Sequence, residues 1–135
     1  MICTEPVDFT LLKARATGNR NILLTERGTS FGYNNLVVDF RSFVILRSFK
    51  QPVVFDVTHS VQAPGGRGDS SGGDSQYVPH LARAGAAAGV DGFFFEVHDN
   101  PSRALSDGPN ALLLKRFPRL VEDILRIRQS LGRTS

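Results

Sequence analysis

Three side chains that can bind a divalent metal follow apolar stretches of this sequence. His59 ends the stretch PVVFDVTH, Glu96 lies near the end of GFFFEVH, and Asp107 belongs to the turn SDGP in the loop that follows. One imidazole and two carboxylates form an ordinary ligand set for Mn²⁺, Fe²⁺ or Zn²⁺. The spacing alone does not define a metal site, because the three residues lie on separate segments. The alternative is that His59 bonds to a neighbour and Glu96 pairs with an arginine.

A fourth polar residue, Arg27, ends the apolar stretch NILLTER. The forked guanidinium group of arginine suits a phosphate or a carboxylate. Arg27 is therefore a candidate anion-binding residue, and the alternative is an internal ion pair with Glu26 or Asp56. The glycine-rich stretch from Gln62 to Gln76 has few apolar side chains with which to pack. We expect this stretch to form a mobile lid at the same end of the molecule.

These residues need secondary structure that brings them together. Three almost continuously apolar stretches are typical of strands covered on both faces: residues 21–27, 52–59 and 92–98. Helical patterns flank and separate them, at residues 9–19, 34–49, 75–89 and 117–132. Alternating helices and strands predict parallel strands joined by right-handed crossovers. Because parallel strands end at the same edge of a sheet, we expect the polar residues at their ends to share one rim.

The composition excludes several classes of function. The chain has 135 residues, of which 41% are hydrophobic, and a net charge of +3 that comes from scattered Arg and Lys residues. This distribution does not indicate a nucleic-acid partner, and no stretch reaches the roughly 18 apolar residues that cross a bilayer. A single cysteine, Cys3, excludes an internal disulfide framework, and the first ten residues lack the pattern of a signal peptide. We therefore expect a cytoplasmic protein without a membrane partner.

The alternating pattern fits either a small open sheet or part of a (β/α)₈ barrel. A complete barrel takes about 250 residues, which is more than this chain has. Four stretches, ERGTSFGYNNLVVDF, PVVFDVTHSVQAPGG, LARAGAAAGVDGFFFEVH and ALSDGPNALLL, resemble the 3-deoxy-D-manno-octulosonate 8-phosphate synthase family of lipopolysaccharide precursor synthesis. The resemblance implies an α/β fold, a partial TIM barrel with about the last three β/α units. Residues 1–135 would form one C-terminal part of the synthase domain, and residues 1–10 match nothing in the family.

The resemblance also implies an activity and a set of site residues. The family condenses phosphoenolpyruvate with D-arabinose 5-phosphate and water, releasing phosphate. His59, Glu96 and Asp107 resemble three of the four ligands of the divalent metal and are the implied catalytic residues. Ser106, before the Asp-Gly-Pro turn, resembles the metal-dependent branch of the family. The implied substrate-binding residues are Arg27 for the phosphate of phosphoenolpyruvate, Gln62 near the sugar phosphate, and Asp107, Pro109 and Asn110 at the border of the site.

The chain departs from the family pattern in one important respect. The fourth metal ligand of the family is a cysteine on the first strand, which this sequence lacks, and Cys3 lies in unmatched sequence. We therefore expect a truncated chain that is inactive alone, although the family forms homotetramers. Two alternatives remain: an enzyme of the related 3-deoxy-7-phosphoheptulonate synthase type, and a non-catalytic half-barrel that binds metal or anion and pairs with a separate N-terminal half.

Overall fold

The computed structural model describes residues 5–32, 35–64 and 72–132 of the chain. Short 3₁₀ turns lie at His59–Val61, Ser75–Tyr77, Pro101–Arg103 and Leu114–Arg116. The helices and strands in chain order are α1 (Glu5–Ala16), β1 (Leu24–Glu26), β2 (Thr29–Ser30), β3 (Leu36–Val37), α2 (Arg41–Arg47), β4 (Val53–Asp56), β5 (Gln62–Ala63), β6 (Gly72–Gly73), α3 (Val78–Ala88), β7 (Gly92–Phe94), β8 (Val97–His98), β9 (Leu112–Leu113) and α4 (Phe117–Ser130). The protein is thus a mixed α/β structure.

A parallel sheet of three strands, in the order β1-β4-β7, organises the molecule. In its register Phe55 of β4 lies opposite both Glu26 of β1 and Phe93 of β7. The predicted parallel pairing is confirmed, and the three strands end at the same edge. Each strand is shorter than predicted, since β7 ends at Phe94 and the segment Val97–His98 pairs instead with β9.

The central strand β4 is the best-covered strand of the sheet. Val53 and Phe55 are fully buried, whereas the residues of β1 and β7 are half-buried or exposed. The prediction that all three strands are covered on both faces is therefore confirmed only for β4. Within the described residues β1 and β7 each have β4 as their sheet partner, so each has one unpaired edge.

Three helices cover the sheet and form the core with it. The Phe55 ring lies 5.0 Å from the Phe43 ring of α2. The buried residues of the helices that pack in this core are Phe43 and Leu46 of α2, Val78, Ala82 and Ala86 of α3, and Leu120 and Ile124 of α4. Gly85 lets α3 approach the sheet closely, because a methyl group at this position would lie 2.7 Å from the Phe55 ring. This close packing holds the strands in place relative to the helices, and with them the residues at the strand ends.

The predicted helix ends are partly correct. α3 ends before Gly89, whose φ of 80° suits a glycine and closes the helix as predicted. The helix predicted at residues 34–49 is wrong in its first half, because Leu36–Val37 pairs with β2 and α2 starts only at Arg41. Asp39 accounts for the late start, since its Oδ1 accepts a hydrogen bond from the Arg41 backbone N–H at 3.0 Å and so holds a turn there.

None of the helices in the described ranges combines the length and apolarity needed to cross a bilayer. The expected lid falls largely on residues 65–71, which lie outside the described residues. Its two ends are joined, because β5 and β6 form a short antiparallel pair in which Gln62 faces Gly73. The base of this loop is therefore fixed beside the edge where the parallel strands end.

Candidate functional site

The structure brings His59, Glu96 and Asp107 together beyond the ends of the parallel strands. His59 begins the 3₁₀ turn after β4, Glu96 lies between β7 and β8, and Asp107 lies in the loop before β9. One potential ligand atom from each residue lies within 4.8 Å of the other two, and all three residues are half-buried. In this cluster His59 Nε2 lies 3.3 Å from Glu96 Oε2. This arrangement can hold a metal ion.

Asp56 fixes the orientation of the His59 ring. Its Oδ2 accepts a hydrogen bond from His59 Nδ1 at 2.8 Å, and its Oδ1 accepts one from the His59 backbone N–H at 3.0 Å. Because a carboxylate only accepts hydrogen bonds, Nδ1 carries the proton and Nε2 faces Glu96. The Phe94 ring stacks on the imidazole at a centroid distance of 5.8 Å. The position of the imidazole ring is thus set by Asp56 at the end of β4 and by Phe94 at the end of β7.

The donor set fits a divalent metal. His59 Nε2 lies 3.3 Å from Glu96 Oε2, and this close approach is favourable when a proton on Nε2 or a cation lies between the two atoms. Ligands bound about 2.1 Å from one metal ion are about 3 to 3.5 Å apart, which matches this separation. A carboxylate that holds the second ring nitrogen, as Asp56 does, is the usual outer partner of a metal-binding histidine.

Backbone hydrogen bonds fix the two carboxylate residues. The Glu96 N–H donates to Thr58 Oγ1 at 3.1 Å, and the Glu96 carbonyl accepts from the Leu112 N–H at 2.9 Å. Asp107 has a φ of 51°, which is uncommon for a residue other than glycine. Its carbonyl accepts from the N–H groups of Asn110 and Ala111, at 2.9 and 3.0 Å. These bonds stabilise the strained turn and hold Asp107 beside His59 and Glu96.

Arg27 connects to this cluster through Gln62. Arg27 Nη2 donates to Gln62 Oε1 at 2.7 Å, and Gln62 Nε2 donates to Asp107 Oδ1 at 2.7 Å. Glu26 instead accepts from the Gly28 N–H at 2.6 Å, and Asp56 bonds to His59. In the described part of the chain, neither acid pairs with Arg27, so its guanidinium group is exposed and open to an external anion.

The structure places Pro109 and Asn110 differently from each other. Pro109 is half-buried, and its carbonyl accepts a hydrogen bond from the Ser75 N–H at 3.3 Å. Asn110 is fully buried, and neither polar atom of its side chain has a hydrogen-bond partner in the described residues. Its Oδ1 contacts Gly73 so closely that a methyl group on Gly73 would overlap it. Asn110 thus packs the Asp107 loop against the base of the glycine-rich loop.

An apolar cleft of about 510 Å³ opens beside the candidate site, between β3, the His59 turn and the start of α3. Its walls include Leu36, Val61 and Leu81, and Gln62 is the residue that it shares with the Arg27–Gln62–Asp107 chain. The three candidate metal ligands are absent from its lining. The three candidate metal ligands therefore lie at the strand ends, outside the cleft.

The sequence did not indicate the roles of Asp56 and Thr58. The sequence suggests Asp56 only as an alternative partner of Arg27, whereas its partner in the structure is His59. A signal was present in the sequence, because the spacing Asp-x-x-His at a strand end allows the carboxylate to reach the histidine ring in a single tight turn. Thr58, between them, bonds to both Asp56 and the Glu96 backbone.

Sequence comparison relates most of this chain to known proteins. The sequence model of the DAHP synthetase I family matches residues 7–130. A 2-dehydro-3-deoxyphosphooctonate aldolase of Desulfatibacillum aliphaticivorans is 62% identical over 118 residues, which cover 87% of this chain and 43% of that protein. The enzyme of the same name from Trichlorobacter lovleyi is 61% identical over 110 residues, which cover 82% of this chain and 40% of that protein.

A solved structure shares the fold of this chain. The phospho-2-dehydro-3-deoxyheptonate aldolase (DAHP synthase) of Thermotoga maritima aligns with a TM-score of 0.82 and 29% sequence identity. The alignment covers 98% of this chain and 36% of that protein. The chain thus spans about two fifths of the length of the curated relatives that it matches.

Proposed function

The chain belongs to the DAHP synthetase I family, and we propose that it is the metal-binding part of a 3-deoxy-D-manno-octulosonate 8-phosphate synthase. The observation that carries the proposal is the cluster of His59, Glu96 and Asp107, whose potential ligand atoms lie within 4.8 Å of one another. The identity of 56% to 62% to relatives named 2-dehydro-3-deoxyphosphooctonate aldolase supports the same assignment.

The proposed fold is a partial (β/α)₈ barrel that holds about the last three β/α units. The alignment with 36% of the DAHP synthase structure supports this proposal, as do the parallel strands with a helix following each of them. The outer edges of β1 and β7, which have no strand partner in the described part of the chain, are the places where the remaining strands of a barrel would add. In such a barrel the strand ends form the face on which TIM-barrel enzymes carry their active sites.

The proposed reaction joins C3 of phosphoenolpyruvate to the aldehyde carbon of D-arabinose 5-phosphate, while water enters and inorganic phosphate leaves. In this scheme Arg27 holds the phosphate group of phosphoenolpyruvate, because its exposed guanidinium group lies at the end of β1. His59, Glu96 and Asp107 would hold the divalent ion, Mn²⁺, Fe²⁺ or Zn²⁺, which supplies Lewis acidity when it is bound. Gln62 connects the two groups, and Pro109 and Asn110 shape the loop that carries Asp107.

Synthesis of the seven-carbon sugar acid is a second candidate function. The name of the matching family and the structural likeness to a DAHP synthase favour it. The octulosonate assignment has stronger support, because sequence identity is 62% to the phosphooctonate enzyme of Desulfatibacillum aliphaticivorans and 29% to the heptonate enzyme. A third candidate is a metal- and anion-binding half-barrel without turnover that pairs with a separate N-terminal half.

A chimeric enzyme tests the proposal directly. In the chimera this chain replaces the matching 118 residues of the Desulfatibacillum aliphaticivorans relative, and consumption of phosphoenolpyruvate is followed with arabinose 5-phosphate or erythrose 4-phosphate. We expect metal-dependent turnover with arabinose 5-phosphate, and a fall of more than about 100-fold in the His59→Gln chimera. His80→Gln is the matched control, since His80 is exposed on α3. A folded chimera that is inactive, or one that tolerates His59→Gln, contradicts the proposal.

A further inference from the structure

We infer that Gln62 couples anion binding at Arg27 to metal binding at Asp107, so that each ligand raises the affinity of the site for the other. This inference rests on the proposed function, since it takes Arg27 as the anion site and Asp107 as a metal ligand. The observation behind it is the continuous chain of two hydrogen bonds, each 2.7 Å long, from Arg27 through Gln62 to Asp107.

A glutamine suits this position for a chemical reason. A guanidinium group only donates hydrogen bonds, and a carboxylate only accepts them. A side chain that joins the two must therefore accept at one end and donate at the other, as the amide of Gln62 does. The amide can make both hydrogen bonds in one orientation only. If it were turned over, its NH₂ group would face the donor Arg27 and its oxygen would face the acceptor Asp107.

The backbone of Gln62 is fixed as well. Its N–H bonds to the His59 carbonyl at the end of the 3₁₀ turn, and its strand β5 pairs with β6. Gln62 is therefore attached to the same turn that carries the metal candidate His59. Because the Gln62 backbone is held in place, only its side chain can respond when one partner moves. A movement of the amide toward Arg27 or toward Asp107 therefore also changes its hydrogen bond to the other residue.

Two features make the coupling positive. Among the described residues Arg27 uses one guanidinium nitrogen, Nη2, on Gln62, so an anion can bind its other N–H groups without breaking the chain. An anion that holds Arg27 also orders Gln62 and, through it, the Asp107 carboxylate. The metal then binds a carboxylate that is already ordered, so metal binding loses less conformational entropy. By thermodynamic linkage, the metal must raise the affinity for the anion by the same factor.

Direct attraction between the two ligands would also give positive coupling, so the test has to separate the two contributions. Gln62→Met keeps the length of the side chain and removes both the donor and the acceptor. Gln62→Glu keeps an acceptor for Arg27 but places a negative charge against Asp107. Gln129→Met is the matched control, because Gln129 is exposed on α4. The direct attraction is kept in the unchanged chain, in Gln62→Met and in the control, whereas the added charge of Gln62→Glu changes it. The hydrogen-bonded link remains only in the unchanged chain and the control.

The experiment measures the Kd of Mn²⁺ for the 135-residue chain by electron paramagnetic resonance, with and without saturating inorganic sulfate as a soluble tetrahedral dianion. We expect sulfate to tighten Mn²⁺ binding on the order of tenfold in the unchanged chain and in Gln129→Met. In Gln62→Met the effect of sulfate on the Kd of Mn²⁺ should be smaller by about threefold or more. The effect that remains is the part supplied by direct attraction between the two ligands. Gln62→Glu should lose the effect as well.

The possible outcomes distinguish this inference from the proposed function. If the unchanged chain does not bind Mn²⁺, the proposed metal site is wrong and the inference falls with it. If Mn²⁺ and sulfate both bind but do not affect each other, or if Gln62→Met and Gln62→Glu keep the full effect of sulfate, the inference alone is wrong. Circular dichroism shows which variants are folded, and the uncharged variant Gln62→Leu, which also removes the donor and the acceptor, carries the test if Gln62→Met does not fold.

Discussion

Asp56→Asn is expected to weaken Mn²⁺ binding, although Asp56 is not one of the three candidate ligands. Its two oxygens accept hydrogen bonds from His59, one from ring Nδ1 at 2.8 Å and one from the backbone N–H at 3.0 Å. Asparagine has the same shape but a single acceptor oxygen, so its NH₂ group must face one of these donors. If it faces the ring, the imidazole proton moves to Nε2, the nitrogen that faces Glu96.

The size of the effect follows from the role of Asp56 as an outer partner. Removing such a partner costs about 10- to 100-fold in metal affinity, or about 1.4 to 2.7 kcal/mol. We expect a loss near the upper end, because Asp56 is only 8% exposed and water cannot easily replace the missing acceptor. A Mn²⁺ titration followed by electron paramagnetic resonance measures the affinity. Nitrogen chemical shifts of the His59 ring, in the absence of metal, report which nitrogen carries the proton.

Asp91→Asn is the matched control. Asp91 Oδ2 accepts from the Val53 backbone N–H at 2.9 Å, at the opposite end of β4. This variant changes a carboxylate to an amide beside the same strand without touching His59, so it should destabilise the chain and leave the Kd of Mn²⁺ unchanged. Two results would refute the reasoning: an Asp56→Asn chain that binds Mn²⁺ as tightly as the unchanged chain, or an Asp91→Asn chain that loses as much affinity.

Two further predictions concern stability. Gly85→Ala should lower the free energy of unfolding by about 1 to 3 kcal/mol in urea titrations, because its methyl group would lie 2.7 Å from the Phe55 ring, whereas Gly92→Ala makes only an ordinary contact and should cost less. Asp123→Asn should be destabilising near neutral pH but not in acid. The hydrogen bond from Arg83 lowers the pKa of the Asp123 carboxyl in the folded chain. The stability that this carboxylate contributes is therefore present above the unfolded pKa of about 3.9 and is lost as the pH falls through the lower folded pKa. A difference between the two chains that does not shrink below about pH 4 would contradict this assignment.

The sequence predicted the parallel strands and the shared rim because both depend on local patterns. Apolar runs separated by helical patterns determine a parallel sheet, and the polar residue after each run then lies at one edge. His59 and Glu96 were found in this way. The pattern could not show where each strand ends, since the end of β7 at Phe94 and the separate pairing of Val97–His98 with β9 depend on contacts between distant segments.

The hydrogen-bonded partners of the site residues were harder to predict. Gln62 was noted only through the family resemblance, and nothing in its sequence neighbourhood indicates that it bridges Arg27 and Asp107, which lie 35 and 45 residues away along the chain. The full burial of Asn110 was also not foreseen, because a polar residue in a turn usually faces solvent. Both features depend on loop packing, for which a single sequence carries no periodic signal.

The connections around the site explain how a chain of this length can keep its ligand groups together. β4 and β7 are adjacent strands, and the Val57 N–H donates to the Phe94 carbonyl just beyond their paired residues. Thr58 then bonds to the Glu96 backbone, so the His59 turn and the Glu96 segment are joined twice. The Asp107 loop is attached through β9, whose partner β8 directly follows Glu96. The backbone segments that carry the three candidate ligands are thus joined to one another by hydrogen bonds within the described residues.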